Sequence, residues 1–529
     1  MNQIDLLIIG GGITGSGCLL EATRRGLRSV LVEKGDFSSG TTAASSRLIH
    51  GGIRYLEHLH VRLVAESLKE RFWISKRFPH LLKPLAIHVP VYGWGKRSPL
   101  VAGIGIKLYD LLSGTMKIEN SKIHLKKSAR EMIPEIHLDG LSGIFVFYDY
   151  QIIMPERLVL ENIIAARSMG AMALNYNSVR EIRHQNGGYR VAVKNTLTGE
   201  ESSIFAAAVI NATGAWADEI RMLAGFGSKL LRPTKGVHIE TQRLGDRALF
   251  VEAGTDNRLF YMLPFMNHTL IGTTDTDYNE SPDLVEPLPE DVSYLIDNAN
   301  QILNGIRLDR TKVYASFGGL RPLLNIPGKT ESDIPRAHRV VCEGPQGRFI
   351  SIIGGKLTTY RKMAEDTAKK VRKILGVADR ARLSAPEFPC GAVASVERER
   401  YIEHLAGEYG IEKRTASALF TLYGMGAENV LEYAGNDAAL KIPVSECTSE
   451  IPAQIVYGFE KEFARKLEDI LLRRMLLGKS PSKGLEAGEA IKVALTKFMG
   501  KSPDEADDLF DEARQSIIKK FGMNDRITG

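Results

Sequence analysis

The chain has 529 residues, of which 44% are hydrophobic and 25% charged, and a formal charge of +6. That length exceeds one ordinary hydrophobic core and predicts two or three domains, while the composition excludes disordered, collagen-like and disulfide-rich classes. With 69 basic residues set against 63 acidic ones, the mild positive balance fits an anionic substrate or lipid headgroup as well as an ordinary solvated surface, and no nucleic-acid partner is expected. The cysteines Cys18, Cys342, Cys390 and Cys447 stand singly with no C-x-x-C pair, so no metal or iron–sulfur site is expected and a reducing compartment is favoured. The N-terminus lacks the basic and apolar regions of a signal sequence, and no stretch reaches the roughly 20 apolar residues of a spanning helix. The expectation is a chain that is soluble or lies on a membrane without crossing it.

In chain order, Leu6–Ile9 is a short apolar strand ending in Gly10-Gly11-Gly12, followed by a helical stretch from Ser16 to Arg25 and a second strand from Ser29 to Glu33. Strand, helix and strand in about 30 residues is the βαβ unit of a parallel sheet. Val61 to Phe78 is helical, with Leu63, Val64, Leu68, Phe72 and Trp73 on one face. A helix from Arg157 to Met169 precedes strands around Ala171–Tyr176 and Tyr189–Val193, which together suggest a small antiparallel element. Ala206–Ile210 is a buried strand running into Asn211-Ala212-Thr213-Gly214. From about 232 to 330 the Thr, Tyr, Phe, Pro and Gly content and alternating runs such as His268–Thr273 predict an antiparallel sheet. Phe349–Ile353 is another strand, meeting Gly354-Gly355 and a helix from Thr358 through Arg372. After Pro389-Cys390-Gly391 the pattern becomes helical, as in Phe459–Arg474 and Asp504–Lys520.

Gly10-Gly11-Gly12-Ile13-Thr14-Gly15 satisfies G-x-G-x-x-G with a strand before it and a helix after it. Gly10 permits the tight turn, Gly12 lets backbone approach a pyrophosphate, Gly15 lets helix and strand pack, and the phosphates sit on the helix N-terminus. Glu33 falls where a carboxylate accepts hydrogen bonds from the adenosine ribose and disfavours a 2′-phosphate, so FAD or NAD is preferred over NADP. The motif alone does not choose between them. Asn211-Ala212-Thr213-Gly214-Ala215-Trp216 resembles the A-T-G segment of two-dinucleotide-fold flavoproteins, and Gly354-Gly355-Lys356-Leu357-Thr358-Thr359 offers backbone N–H groups to an isoalloxazine edge. Each is an ordinary strand-to-helix turn on its own; their joint occurrence in this order favours FAD.

Ser45-Ser46-Arg47-Leu48-Ile49-His50-Gly51-Gly52-Ile53-Arg54-Tyr55-Leu56 resembles the S-S-K-L-I-H-G-G-x-R-Y-L segment of FAD-dependent glycerol-3-phosphate dehydrogenases, within the glycine/D-amino-acid oxidase-like flavoproteins. The resemblance continues through Lys235-Gly236-Val237-His238, Ile271-Gly272-Thr273-Thr274-Asp275, Gly319-Leu320-Arg321-Pro322-Leu323, Arg336-Ala337-His338 and Gly354 to Arg361, and into the tail at Tyr457, Glu462, Asp469 and Arg473-Arg474. Arg47 departs from the family's lysine, Gln454 from its glutamate, and the tail from about 480 matches less clearly. Arg47 is expected near the flavin, where it bears on its potential; Gln454 is expected to affect helix packing.

The resemblance implies an α/β fold: a two-dinucleotide-binding, Rossmann-like FAD domain over 1–80, 145–232 and 335–385, an antiparallel-sheet substrate domain over 81–144 and 233–334, and an α-helical C-terminal domain over 386–529. It adds Ile13, Thr14, Lys34, Thr42, Ser45, Ser46, Arg47, Leu48, His50 and Val179 to the cofactor contacts Gly10, Gly12, Gly15, Glu33, Ala212, Thr213, Gly214, Trp216, Gly355, Lys356, Leu357 and Thr358. Arg54, Tyr55, Arg336 and Lys356 are implied to hold a substrate phosphate, for which a planar guanidinium fork and a compact ammonium are suited. His238 and Arg321 are implied beside the carbon bearing the secondary hydroxyl, His238 as the base and Arg321 as stabiliser of the developing alkoxide. Taken singly, such an Arg is more often a surface charge and such a His a satisfied structural residue.

The implied reaction is oxidation of sn-glycerol 3-phosphate to dihydroxyacetone phosphate, with electrons passing on to quinone or another acceptor. The apolar segment Pro99–Leu112, flanked by Lys96, Arg97, Lys117 and Lys122, is expected in the headgroup region on the inner face of the cytoplasmic membrane, the alternative being a core helix with solvated flanks. Homodimerisation stays open. The rival readings are an oxidase releasing peroxide, an amine or amino-acid oxidase on the same fold, and a flavin-binding regulatory protein without turnover. Arg54, Arg336 and Lys356 together argue against the amino-acid oxidase.

Overall fold

A computed structural model describes residues 4–93, 98–328, 337–378, 388–391, 397–445 and 447–523. Two sheets and a helical bundle make up the described chain. The first sheet is centred on Ile4–Ile9, whose apolar side chains are covered on both faces, as a strand inside a parallel sheet requires. Ser29–Val32 and then Met172–Leu174 lie parallel on one side of it; Glu201–Asn211 and Phe349–Ile353 lie parallel on the other, with Arg339–Glu343 antiparallel at the edge. Helix Ile13–Arg24 packs between Pro155–Ser168 and Tyr360–Leu375 against this sheet. The segment around Ala171–Tyr176 thus joins the parallel sheet, and Gly188–Asn195 pairs antiparallel instead with Asn177–Gln185 on one side and Glu201–Asn211 on the other. Short apolar runs do not encode their partner, which explains the misassigned pairing.

The second sheet has ten strands, ordered Thr276–Asp277, Leu231–Gln242, His268–Gly272, Leu259–Phe265, Ala248–Glu252, Leu82–Tyr92, Leu141–Ile152 and Leu48–Ile49. Val313–Leu324 also pairs with Leu231–Gln242, and Lys122–Leu125 with Leu141–Ile152. Ala248–Glu252 and Leu82–Tyr92 run parallel; the other pairs are antiparallel. Leu141–Ile152 is one continuous strand through the expected domain boundary at 144/145. Alternation decides which side chains face the site. Val237 and Ile239 bury themselves with Leu295, Ile296 and Ala299 of helix Pro289–Ile302, so His238 and Glu240 point to the opposite face.

The C-terminal part is helical. The run expected as one helix over Phe459–Arg474 is two, Pro452–Lys461 and Leu467–Arg473, broken where Phe463 takes φ +65°. Gln454 does more than pack: its Oε1 accepts from Ile451 N at 3.0 Å, capping Pro452–Lys461, and its Nε2 donates to Glu450 at 3.3 Å. Helix Pro503–Phe521 starts on a capping box, in which Ser502 Oγ accepts from Glu505 N and Glu505 accepts from Ser502 N, and stops at Gly522 with φ +54°. Among the described residues, no helix is long and apolar enough to cross a membrane.

Candidate active site

A cleft of about 1010 Å³ runs from the C-terminal ends of the parallel strands to the face of the second sheet. The glycines shape its floor. Gly10 has φ +107°, and a Cβ there would lie 2.7 Å from the Ala212 carbonyl oxygen; a Cβ on Gly15 would lie 1.8 Å from the Gly10 carbonyl oxygen. Gly12 opens helix Ile13–Arg24 at the cleft, with Thr42 Oγ1 accepting from Ile13 N at 3.1 Å. Gly15→Ala is therefore expected to force the first helix off the sheet, costing about 3 kcal/mol. The urea midpoint at unchanged slope checks this, and a native midpoint would contradict it.

Glu33 lines the cleft wall, its two oxygens accepting from Gly11 N at 2.6 Å and Gly35 N at 2.9 Å, while burial raises its carboxyl. Lys34 pairs with Asp283, which also accepts from Trp216 Nε1 at 2.8 Å, and Lys34 sits 4.6 Å from the Trp216 ring centre. Together they fasten one mouth of the cleft. Ile13, Thr14, Thr42, Ser45, Arg47, Val179, Ala212, Thr213, Gly214, Gly355, Lys356 and Leu357 also line it. Gly15, Ser46, Leu48, His50 and Thr358 do not: Gly15 packs behind the turn, Leu48 pairs with Gln151, and Thr358 Oγ1 accepts from His50 N at 3.1 Å. Burial, with Lys356 and Arg71 nearby, pushes His50 down to about 3.

Arg47 is buried with φ +55°. Its guanidinium lies 4.4 Å from the Phe265 ring centre, reaches Ile153 O at a long 3.5 Å, and leaves Nε without a hydrogen-bond partner. A buried cation with an orphaned donor on a cleft wall calls for an acceptor from a ligand. Shape, turn glycines, Glu33 and Arg47 all fit an adenine dinucleotide carrying a flavin.

Where the cleft meets the second sheet, neighbouring strands put Phe317, His238, Gly272, Tyr261 and Phe250 in one row. Gly272 supplies the room that the His238 ring occupies: a Cβ there would meet His238 Cδ2 at 2.4 Å. His238 stacks on Phe317 with centroids 5.1 Å apart, and its Nε2 shares a 2.8 Å hydrogen bond with Ser46 Oγ, while Nδ1 has no hydrogen-bond partner. Burial first, then Arg321 and Arg47, push the imidazole down to about 3 against the opposing pull of Glu240. Arg321 is aimed by Asp275 Oδ1 at 2.9 Å and Thr273 Oγ1 at 3.1 Å.

Beyond Gly272, Tyr261 lies within electrostatic reach of Arg54 and Tyr55, and burial raises its hydroxyl. Lys356 Nζ sits 3.8 Å from the Tyr55 ring centre and donates to Ser67 Oγ at 3.0 Å. The structure thus brings Arg54, Tyr55 and Lys356 to one end of the row and His238 and Arg321 to the other. Arg336 lies outside the described residues. Tyr261 was not anticipated, nor were Lys479, Lys520 and Phe521, which reach the cleft from the C-terminal helices. Leu259–Phe265 is apolar or aromatic along its whole length and has no alternation to single out Tyr261; only the strand register puts it opposite Gly272.

The fold and cleft together define a flavoprotein oxidoreductase of the two-dinucleotide type. Residues 5–361 match the family described as FAD dependent oxidoreductase, and residues 390–506 the C-terminal domain of alpha-glycerophosphate oxidase. The glycerol-3-phosphate dehydrogenase of Synechocystis is 34% identical over 526 residues, covering 95% of this chain and 94% of that protein. The human mitochondrial glycerol-3-phosphate dehydrogenase is 33% identical over 559 residues, covering 99% of this chain and 74% of that protein. The X-ray structure of the glycerol-3-phosphate dehydrogenase from Bacillus halodurans complexed with FAD superposes with a TM-score of 0.78 at 27% identity, covering 98% of this chain and 95% of that one. The chain belongs to the FAD-dependent glycerol-3-phosphate dehydrogenase family, and FAD is its cofactor.

Proposed function

We propose that the chain oxidises sn-glycerol 3-phosphate at C2 to dihydroxyacetone phosphate and hands the electrons to a quinone at a membrane surface. The observation that carries this reading is the polarity of the row. Arg54, Tyr55 and Lys356 stand at one end with cationic and hydroxyl donors for a phosphate, and a neutral His238 stands with Arg321 at the other. Bound FAD supplies the acceptor for the hydride that leaves C2. His238 takes the proton of the C2 hydroxyl, with Ser46 holding the ring in register. Arg321, aimed by Asp275, stabilises the alkoxide character that develops before the carbonyl forms. Gly10, Gly12, Thr42 and the N-terminus of Ile13–Arg24 would cradle the pyrophosphate, Glu33 the ribose, and residues Gly354 to Thr358 the flavin edge.

Membrane contact is supported by helix Pro99–Ser113. It buries Ile106 and Tyr109 but presents Leu100, Val101, Ile104 and Leu111 to solvent, with Lys117 and Lys122 following. The flanking Lys96 and Arg97 lie outside the described residues.

Anaerobic titration of the yellow protein tests the reading. Glycerol 3-phosphate is expected to bleach the flavin completely, and a quinone analogue to restore it. Unbleached flavin sinks the assignment, and peroxide formed stoichiometrically under air replaces the dehydrogenase reading by an oxidase. Flotation with anionic vesicles at low salt tests the surface, and its absence refutes lipid contact.

A further inference from the structure

Helix Pro503–Phe521 runs past residue 506, where the match to the C-terminal family domain stops. Ala506, Ala513 and Ile517 bury one stripe of it among the C-terminal helices. Its last turn does something else. Lys520 and Phe521 reach the cofactor cleft, and Phe521 packs against both the helical cluster and the cluster under the second sheet. The Phe521 ring meets Phe317 edge-on, with centroids 6.2 Å apart and planes at 78°. Phe317 in turn is the ring on which His238 stacks. Behind Phe521 stands the Lys483 ammonium, 5.1 Å from the ring centre and itself buried against Glu240.

On its far side the His238 ring packs over the bare Gly272 backbone, so Phe317 and Gly272 hold the imidazole between them, and Phe317 is the one of the two faces that a side chain can brace. An edge-to-face contact restrains the flat partner in that stack from swinging into the cleft. A tilt that breaks the 2.8 Å bond to Ser46 also misaims the nitrogen that accepts the proton. We propose that Phe521 is a positioning residue for the oxidation: by bracing Phe317 it holds the plane of the His238 ring at the substrate position. The inference rests on His238 acting as the base.

The test is anaerobic stopped-flow reduction of FAD-loaded variants by glycerol 3-phosphate. Phe521→Ala is expected to lower the limiting reduction rate about tenfold while the half-saturating substrate concentration stays within about twofold. Phe521→Tyr, which keeps the ring edge, is expected to restore the rate to within about twofold of native. Should the alanine variant fail to accumulate, Phe521→Met, which keeps bulk without a flat edge, is expected to be several-fold slow in the same assay. A native limiting rate in the alanine or methionine variant overturns the inference, even if melting temperature or FAD retention falls. His238→Gln is measured alongside. If it reduces at the native rate the base assignment fails, whereas a slow His238→Gln with a native-rate Phe521→Ala removes the bracing role alone.

Discussion

Replacing Asp36 with alanine is expected to cost about 3–5 kcal/mol of unfolding free energy, because it strands the buried Arg474 guanidinium and takes one of its carboxylates from buried Arg473. Asp36 follows the second parallel strand and is buried with Arg473 and Arg474 of the C-terminal helices. Its oxygens accept from Arg473 Nε at 2.6 Å, from Arg474 Nη1 and Nη2 at 2.9 Å each, and from Asn175 Nδ2 at 3.2 Å. Arg473 keeps Asp469 at 2.6 Å, but Arg474 retains only the Glu462 carbonyl at 3.0 Å. The loss is read from the urea midpoint at unchanged slope, and a change below about 1 kcal/mol would show that solvent reaches the pair. A pH signature accompanies it. Burial would raise the Asp36 carboxyl, but Arg474 and Arg473 outweigh burial and hold it down to about 2. The unfolded group titrates near 3.9, so its stabilisation is complete above about pH 4 and disappears as pH falls toward 2. The alanine variant is expected to lack that part of the acid slope.

His238→Gln is expected to slow flavin reduction by at least about 100-fold, the usual contribution of a positioned general base, with FAD still bound. Glutamine keeps a donor toward Ser46 yet cannot take a proton. The native pH profile sharpens the test. Arg321 from Val313–Leu324, Arg47 from the segment before Leu48, and Glu240 on the same strand surround the ring, and the net effect with burial is the depression to about 3. A depressed imidazole stays in its proton-accepting form at every pH above about 4, so the limiting reduction rate is expected to be flat from about pH 5.5 to 8. An acid limb near 6 in kcat/KM is then expected from the second ionisation of the substrate phosphate. A variant within tenfold of native, or a native limiting rate that falls below pH 6.5, would remove His238 from the base role.

Much of the frame was legible because it is written locally. The strand, three glycines and helix at 6–25, the bend at 211–216 and the glycine pair at 354–355 each announce themselves within a dozen residues. Their convergence is visible in the contacts of Gly10 with Ala212. The helical character of the tail is written in its amphipathic pattern, but amphipathicity says only that a helix packs, not on what. Lys479, paired with Glu156 at 2.7 Å, and Lys483, paired with Glu240, carry no local signal of burial, yet both are buried beside the cleft. The bond between Ser46 and His238 spans 192 positions, and no periodicity carries such a pairing. Strand partners were illegible for the same reason: Met172–Leu174 looks alike whether it joins Ser29–Val32 or a hairpin.

The central position of Ile4–Ile9 in its sheet has a consequence for how the molecule comes into being. One of its edges is satisfied early by Ser29–Val32, but the other waits for Glu201–Asn211. At ribosomal speeds of 5–20 residues per second, that interval lasts roughly 10–40 s. Throughout it a nascent polypeptide exposes an unpaired apolar edge, the kind of surface that seeds aggregation or recruits a chaperone.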